Sequence, residues 1–184
     1  MEPGIRDGSM MWDIRQAREA DAAQLSEVAQ RIFRDTFEQY NTPEDMEMYC
    51  SEAFAPETLA AAIAEPRTMI LVAGDENRLI AYAHLHRGDP HPNVTGNSPI
   101  ELKRFYVLAA WHGTGLAREL MREVMERSAA LGAETLWLGV WERNHRAIRF
   151  YRKLGFDEVG DVRFMLGTDP QRDLVMTRQI SDIW

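Results

Sequence analysis

Two glycines, Gly113 and Gly115, stand in the run His112-Gly113-Thr114-Gly115-Leu116-Ala117, between a strand-like and a helix-like segment. Glu101–Val107 mixes β-branched, aromatic and long side chains without Gly or Pro, as strands do. Leu116, Ala117, Leu120, Met121, Val124 and Met125 then recur at three- and four-residue spacing. Arg118, Glu119, Arg122, Glu123, Glu126 and Arg127 fill the other face, so a helix is predicted to begin at the glycines. The first amides of a helix lack internal partners, its dipole places partial positive charge there, and glycine lets an anion approach the backbone closely. The chemistry such a turn offers is phosphate binding. On these residues alone, an ordinary strand-to-helix turn explains the glycines equally well.

A second motif decides between the two. Asn144-His145-Arg146-Ala147-Ile148-Arg149-Phe150-Tyr151-Arg152-Lys153-Leu154-Gly155-Phe156 follows another strand-like run, Thr135–Trp141. The order G-x-G-L-A, helix, strand, N-x-x-A-x-x-F-Y-x-x-x-G-F resembles the GCN5-related N-acetyltransferase (GNAT) superfamily. That family carries [QR]-x-x-G-x-[GA] and then N-x-x-A-x-x-[FL]-Y-x-x-x-G-F. His112 stands where the family has Gln or Arg, a departure that leaves the backbone donors of the turn untouched. The resemblance is strong from Ile100 to Phe156 and weaker toward both ends, and within the family it points to the bacterial branch containing polyamine acetyltransferases.

The resemblance implies acetyl-coenzyme A as co-substrate and assigns roles residue by residue. The strand end Phe105-Tyr106-Val107 would pair with the pantetheine amides, with an N–H near Val107 as donor to the acetyl oxygen. The turn His112, Gly113, Thr114, Gly115, Leu116, Ala117 and Arg118 would hold the pyrophosphate. Tyr151 would give a proton to the departing thiolate, Asn144 would bond the cofactor arm as well as cap its helix, and Lys153 would meet a cofactor phosphate. The acceptor amine must lose a proton before attack, which at pH 7 costs an alkylamine roughly 4–5 kcal/mol. Glu101 is the leading candidate base, followed by His84 and His86, which share one strand face. A metal at that histidine pair lacks a third ligand at useful spacing. Cys50 reads as a small buried hydrophobe, and Trp111 and Trp141 as packing.

These groups must be positioned by the rest of the chain, whose 184 residues, 45% of them hydrophobic, can bury one sizeable core. Residues 1–10 read as a flexible, polar, Gly-rich tail, and residues 11–184 as a single acetyltransferase domain. Trp12–Arg18 reads as a strand, and Asp21 as the cap of a helix carrying Leu25, Val28, Ala29, Ile32 and Phe33. Thr42 caps a short helix opened by Pro43, and Pro56–Glu65 is another. Thr68–Ala73 and Leu79–His86 form a hairpin around Gly74-Asp75-Glu76-Asn77, and Asp89–Pro99 is a loop by composition. Phe156–Leu166 and Asp173–Ile180 close the chain as paired strands. Local hairpins alternating with two βα units predict an α/β fold, and the resemblance a GNAT fold: a mixed, mostly antiparallel sheet of about seven strands with helices on both faces.

The net charge of −8 argues against nucleic acid as a partner, and no apolar run is long enough to span a membrane. A lone cysteine and the lack of a signal-peptide core suit the cytoplasm. Asp35–Glu65 holds Asp35, Glu38, Glu44, Asp45, Glu47, Glu52, Glu57 and Glu65 and no Lys, Arg or His. Either these are solvated helix faces, or they attract a cationic acceptor. The expected activity is direct acetyl transfer from acetyl-coenzyme A to a primary amine of a small, polyamine-like or peptide acceptor. The alternative is a non-catalytic acyl-coenzyme A-binding or regulatory module on the same fold, and a Rossmann nucleotide-binding protein fails for want of full G-x-G-x-x-G spacing. A homodimer is the family expectation.

Overall fold

A computed structural model describes residues 12–74 and 78–180. The expected tail at residues 1–10, and the expected turn at Asp75–Asn77, lie outside them. Strands form at β1 (Asp13–Gln16), β2 (Thr68–Gly74), β3 (Leu79–His86), β4 (Ile100–Val107), β5 (Thr135–Trp141), β6 (Asp157–Leu166) and β7 (Asp169–Gln179). Helices form at α1 (Ala22–Phe37), α2 (Pro43–Ala53), α3 (Pro56–Ala64), α4 (Leu116–Ala130) and α5 (His145–Lys153). The strands make one seven-stranded sheet in the order β1-β2-β3-β4-β5-β7-β6. Every neighbouring pair is antiparallel except β4–β5. That parallel pair requires a crossover, and α4 supplies it.

Packing follows the periodicities of the sequence. Leu116, Leu120, Met121, Val124 and Met125 of α4 are fully buried, as their spacing predicts. Adjacent residues on β4 face opposite sides of the sheet. The Tyr106 ring meets Phe33 of α1, whereas the Phe105 ring meets Phe150 and Tyr151 of α5, so helices cover both faces. Thr42 caps α2 through the Asp45 N–H at 3.1 Å, with Pro43 in the first turn. Asp21 does not cap α1. Its carboxylate accepts from the Arg15 guanidinium and from the Arg18 N–H, each at 2.7 Å, so an ion pair and a 3-10 turn take the group instead. No helix among the described residues is long and apolar enough to cross a membrane.

Two connections shape the ground around the site. The Asp89–Pro99 segment, polar by composition, is pinned rather than free. Val94 is buried against Trp137 and Val175, Asn93 Nδ2 donates to Val159 O at 2.8 Å, and the Asn97 N–H donates to Glu134 Oε2 at 2.8 Å. The β6–β7 turn docks on α2, where the Thr168 N–H donates to Asp45 Oδ1 at 2.6 Å. Gly167 has φ +59°, and a Cβ there would stand 2.7 Å from the Asp45 Cα. Gly167→Ala is therefore expected to destabilise the fold by about 2–3 kcal/mol, through backbone strain plus overpacking, as read by urea denaturation. A stability within ~0.5 kcal/mol of the parent would show the docking to be loose.

Candidate active site

The site begins where two strands part. β3 and β4 pair with a register shift, Leu85 opposite Leu102 and His84 opposite Arg104, which leaves Lys103 as an extra residue on β4. A bulge of this kind bends its strand. On the other side, β4 meets β5 only at Ile100↔Leu136 and Glu101↔Trp137. Beyond Glu101 the strands splay, and a cleft of about 790 Å³ opens between them.

Strand alternation settles which β4 groups face this gap. The Leu108 N–H donates to Ile80 O at 2.9 Å, so Leu108, Tyr106 and Arg104 direct their backbone groups to β3. Phe105 and Val107 therefore direct theirs into the gap, where β5 no longer answers. Of the expected trio Phe105-Tyr106-Val107, Phe105 offers its N–H and C=O there and Val107 its N–H, the Val107 carbonyl being taken by His112. Tyr106 instead serves through its ring, which packs on Phe33 and Tyr82, with burial raising its phenol.

The glycine turn closes one end. Gly113 and Gly115 have φ of +82° and +98°, and a Cβ on either would meet nothing within 4 Å. Their need for glycine is conformational, and the space above them is open. Among the described residues, the N–H groups of Gly113, Thr114, Gly115 and Ala117 have no backbone partner, and the first α4 bonds run from Arg118 and Glu119 to Gly115 O. Thr114 turns its hydroxyl back to Trp111 O at 2.8 Å. His112 Nε2 donates to Val107 O at 2.9 Å, tying the turn to the strand end, while burial lowers the imidazole pKa and that bond raises it. His112 thus uses its side chain on the protein itself. The turn fits a diphosphate: converging free amides, no side chain in the way, and a helix N-terminus behind them.

Around the cleft, the expected residues divide. Asn144 caps α5 by accepting from the Ala147 N–H at 3.2 Å and also lines the cleft. Tyr151 lines it too, 7% exposed, its ring against Phe105, Phe150 and Phe156. Its hydroxyl has no hydrogen-bond partner among the described residues, and burial raises its pKa. Glu101 lines the cleft with its carboxyl pushed up by burial, against the pull of Lys103 and Arg104. Arg118 is exposed on the first turn of α4, and Leu116 gives its side chain wholly to the core. Lys153 is exposed at the far end of α5 and lines no part of the cleft. Arg146, two turns earlier in that helix, does line it, near enough to His112 to lower the imidazole pKa.

His84 and His86 line no part of the cleft. His84 is 5% exposed, and burial holds it neutral with a pKa of about 3. His86 Nδ1 shares a hydrogen bond with the Thr68 hydroxyl at 3.2 Å and lines a smaller hollow elsewhere. Among the described residues, no three His, Cys, Asp or Glu side chains are grouped to hold a metal. The acidic segment resolves as solvated helix faces: Glu38, Glu44, Glu47, Glu52, Glu57 and Glu65 are exposed, and Asp45 is spent on Thr168. Of the acids in the segment, only Asp35 lines the cleft.

Two cleft residues escaped the sequence reading. Asp173 of β7, opposite Trp141, sends its Oδ2 over Gly139, 3.5 Å from where a Cβ on that glycine would stand. Its Oδ1 is buried without a partner, and burial pushes the carboxyl to about 6. Arg104 is the other. No motif includes either one. A charge between Leu102 and Phe105 on a central strand was the available signal for Arg104.

The sequence profile of the Acetyltransferase (GNAT) family matches residues 24–156. An uncharacterized N-acetyltransferase of Mycobacterium bovis is 36% identical over 160 residues, covering 87% of this chain and 98% of its own length. The spermine/spermidine N(1)-acetyltransferase of Bacillus subtilis is 26% identical over 90 residues, 48% of this chain and 59% of that protein. The crystal structure of the paiA N-acetyltransferase from Thermoplasma acidophilum in complex with coenzyme A superposes with a TM-score of 0.76 at 22% identity, covering 92% of this chain and 99% of that one.

Proposed function

The chain belongs to the Acetyltransferase (GNAT) family, and from that premise we propose that it transfers the acetyl group of acetyl-coenzyme A directly to a primary amine of a small-molecule or peptide acceptor. The observation that carries this reading is the convergence on one cleft of three things. They are free β4 backbone at Phe105 and the Val107 N–H, a glycine turn of amides without backbone partners that meets the cleft through His112 and Ala117, and an unpartnered phenol at Tyr151. The amides of Gly113, Thr114, Gly115 and Ala117 would hold the diphosphate, with Arg146 and Arg118 adding charge. Phe105 and Val107 would pair with the pantetheine amides as an added strand. The thioester supplies the acetyl group. The Val107 N–H stabilises the oxyanion as it develops, and Tyr151 protonates the leaving thiolate. Asn144 orients the cofactor arm from the α5 cap.

Two carboxylates can receive the amine proton, Glu101 from β4 and Asp173 from β7. Asp173 is the better placed for base work near neutral pH, because it titrates at about 6 and makes no competing hydrogen bond. Its cost to the fold fixes a sign. The carboxyl ionises at about 6 when folded and near 3.8 when unfolded. The proton-bound form is therefore the one that folding favours, and stability falls as pH rises through that window. Asp173→Asn removes the penalty. It is expected to match the parent at pH 4 and exceed it by about 1–2 kcal/mol at pH 8 in urea denaturation, after allowing for partial solvation. The same variant loses kcat/KM by about 10²-fold. Equal stability at both pH values would place the carboxylate in water.

The direct test is release of coenzyme A thiol with acetyl-coenzyme A against a panel of polyamines, amino acids, amino sugars and short peptides. Turnover with an amine is the expected result. Tight coenzyme A binding with no turnover on any amine would favour a non-catalytic acyl-coenzyme A-binding module.

A further inference from the structure

Arg104 lines the cleft, one step past the β4 bulge. Its guanidinium lies over the Phe54 ring, 4.9 Å from the centroid, with Tyr49 close by. Among the described residues, no carboxylate comes within ion-pair distance of it. A guanidinium has five N–H donors in a planar fork shaped for a carboxylate. The groups packed about it come from three elements. Tyr49 and Phe54 approach from α2 and its end, Tyr82 and His84 from β3, and Glu101 and Tyr106 from β4 itself. The Tyr82 hydroxyl and His84 Nδ1 are both buried without a partner. His84 is held neutral by burial and by the nearby cations. A half-buried cation beside unpaired polar atoms is costly to a fold, and such costs persist where a ligand offsets them.

The one acid near Arg104 is not its partner. His86 opposes Glu101 and His84 opposes Arg104, so both β4 residues share the face that His84 and His86 share. The bulge sets Glu101 and Arg104 apart along that face by about two strand steps, roughly 7 Å. Glu101 feels the field of Arg104 without bonding it. The cleft therefore presents an unpaired cation with unpaired carboxylates at Glu101 and Asp173. That is the complement of a zwitterion, and the rest of the lining is of mixed sign, with Lys103, Arg146 and Arg163 beside Asp35 and Asp89.

We propose that Arg104 is the anion-recognising residue of the acceptor subsite, and that the acceptor is an amino acid-like molecule carrying a carboxylate beside its amine. The inference rests on the amine-acetylating reading above and narrows it. The carboxylate docks in the Arg104 fork, and the amine turns toward the carboxylates that take its proton. Polyamine-like acceptors become the poor substrates of this enzyme.

The test uses matched pairs that differ only in the carboxylate: lysine with cadaverine, ornithine with putrescine, and further α-amino acids with their decarboxylated amines. Binding to the coenzyme A-saturated protein is read by calorimetry, and kcat/KM by thiol release. The carboxylate-bearing member of at least one pair is expected to bind and react at least 30-fold better than its amine. Arg104→Gln should collapse that ratio to near unity, chiefly through KM, with Arg104→Lys between the two. If the glutamine variant does not fold, the pairs on the parent protein and on Arg104→Lys still decide. Equal binding within every pair, absence of binding to any carboxylate-bearing member, or a preference that survives Arg104→Gln overturns the proposal. Paired discrimination in binding without turnover would uphold the subsite and refute acetyl transfer, whereas turnover without discrimination would do the reverse.

Discussion

Replacing Gly113 by aspartate is expected to weaken coenzyme A binding by about 10³-fold while the protein still folds. Aspartate is an informative residue for this position. At φ +82° most side chains are strained, but Asp and Asn tolerate the left-handed region better than other non-glycine residues. The site itself offers no obstacle, because a Cβ at Gly113 meets nothing within 4 Å. What changes is charge. A carboxylate would project into the space toward which the amides of Gly113, Thr114, Gly115 and Ala117 converge, and a like charge against a diphosphate costs several kcal/mol. Gly113→Asn carries the same shape and strain without the charge, and is expected to lose no more than about tenfold. Calorimetric titration of both variants with coenzyme A separates the two contributions. An aspartate variant that binds like the asparagine one would remove the diphosphate from this turn.

The parts legible in the sequence are those where one local rule acts without competition. α4 could be read from its spacing, and the Gly113–Gly115 turn from the need for positive φ. Thr42-Pro43 announces α2, and the apolar run Leu79–His86 is β3 from end to end. Asp21 misled because a strand-borne cation, Arg15, outbid the helix amides for its carboxylate at a range only the fold creates. Asp89–Pro99 is the loop its composition predicts, but composition does not reveal that one buried valine anchors it.

The site shows the same division. Residues gathered by the turn and by α5 belong to contiguous motifs and could be named. Arg104 and Asp173 could not, since each matters only through what is missing around it. The bulge that brings Glu101 and Arg104 to one face follows no composition rule that marks Lys103 as the extra residue. Asp173 lines the cleft beside Gly139 of β5, a placement that only the β5–β7 pairing creates. Lys153 and Arg146 show the converse. Both are basic residues on one short helix, and only the helix's direction relative to the gap sets which one lines it.

Tyr151→Phe is expected to lower kcat by about 10²–10³-fold with little change in the affinity for acetyl-coenzyme A. The ring is held by Phe105, Phe150 and Phe156, and a phenylalanine keeps every one of those contacts. The hydroxyl makes no hydrogen bond with the described residues, so its removal strands no partner and leaves stability within about 0.5 kcal/mol. A structural tyrosine would show the opposite pattern, a loss of stability with activity kept. Burial raises the phenol above its usual pKa, so it holds its proton across the working range and can hand it to a thiolate. The kcat deficit should therefore be present at every pH from 6 to 9, rather than appearing only on the alkaline side. A variant whose kcat stays within twofold of the parent across that range would take the acid role from Tyr151 and leave thiolate departure to water.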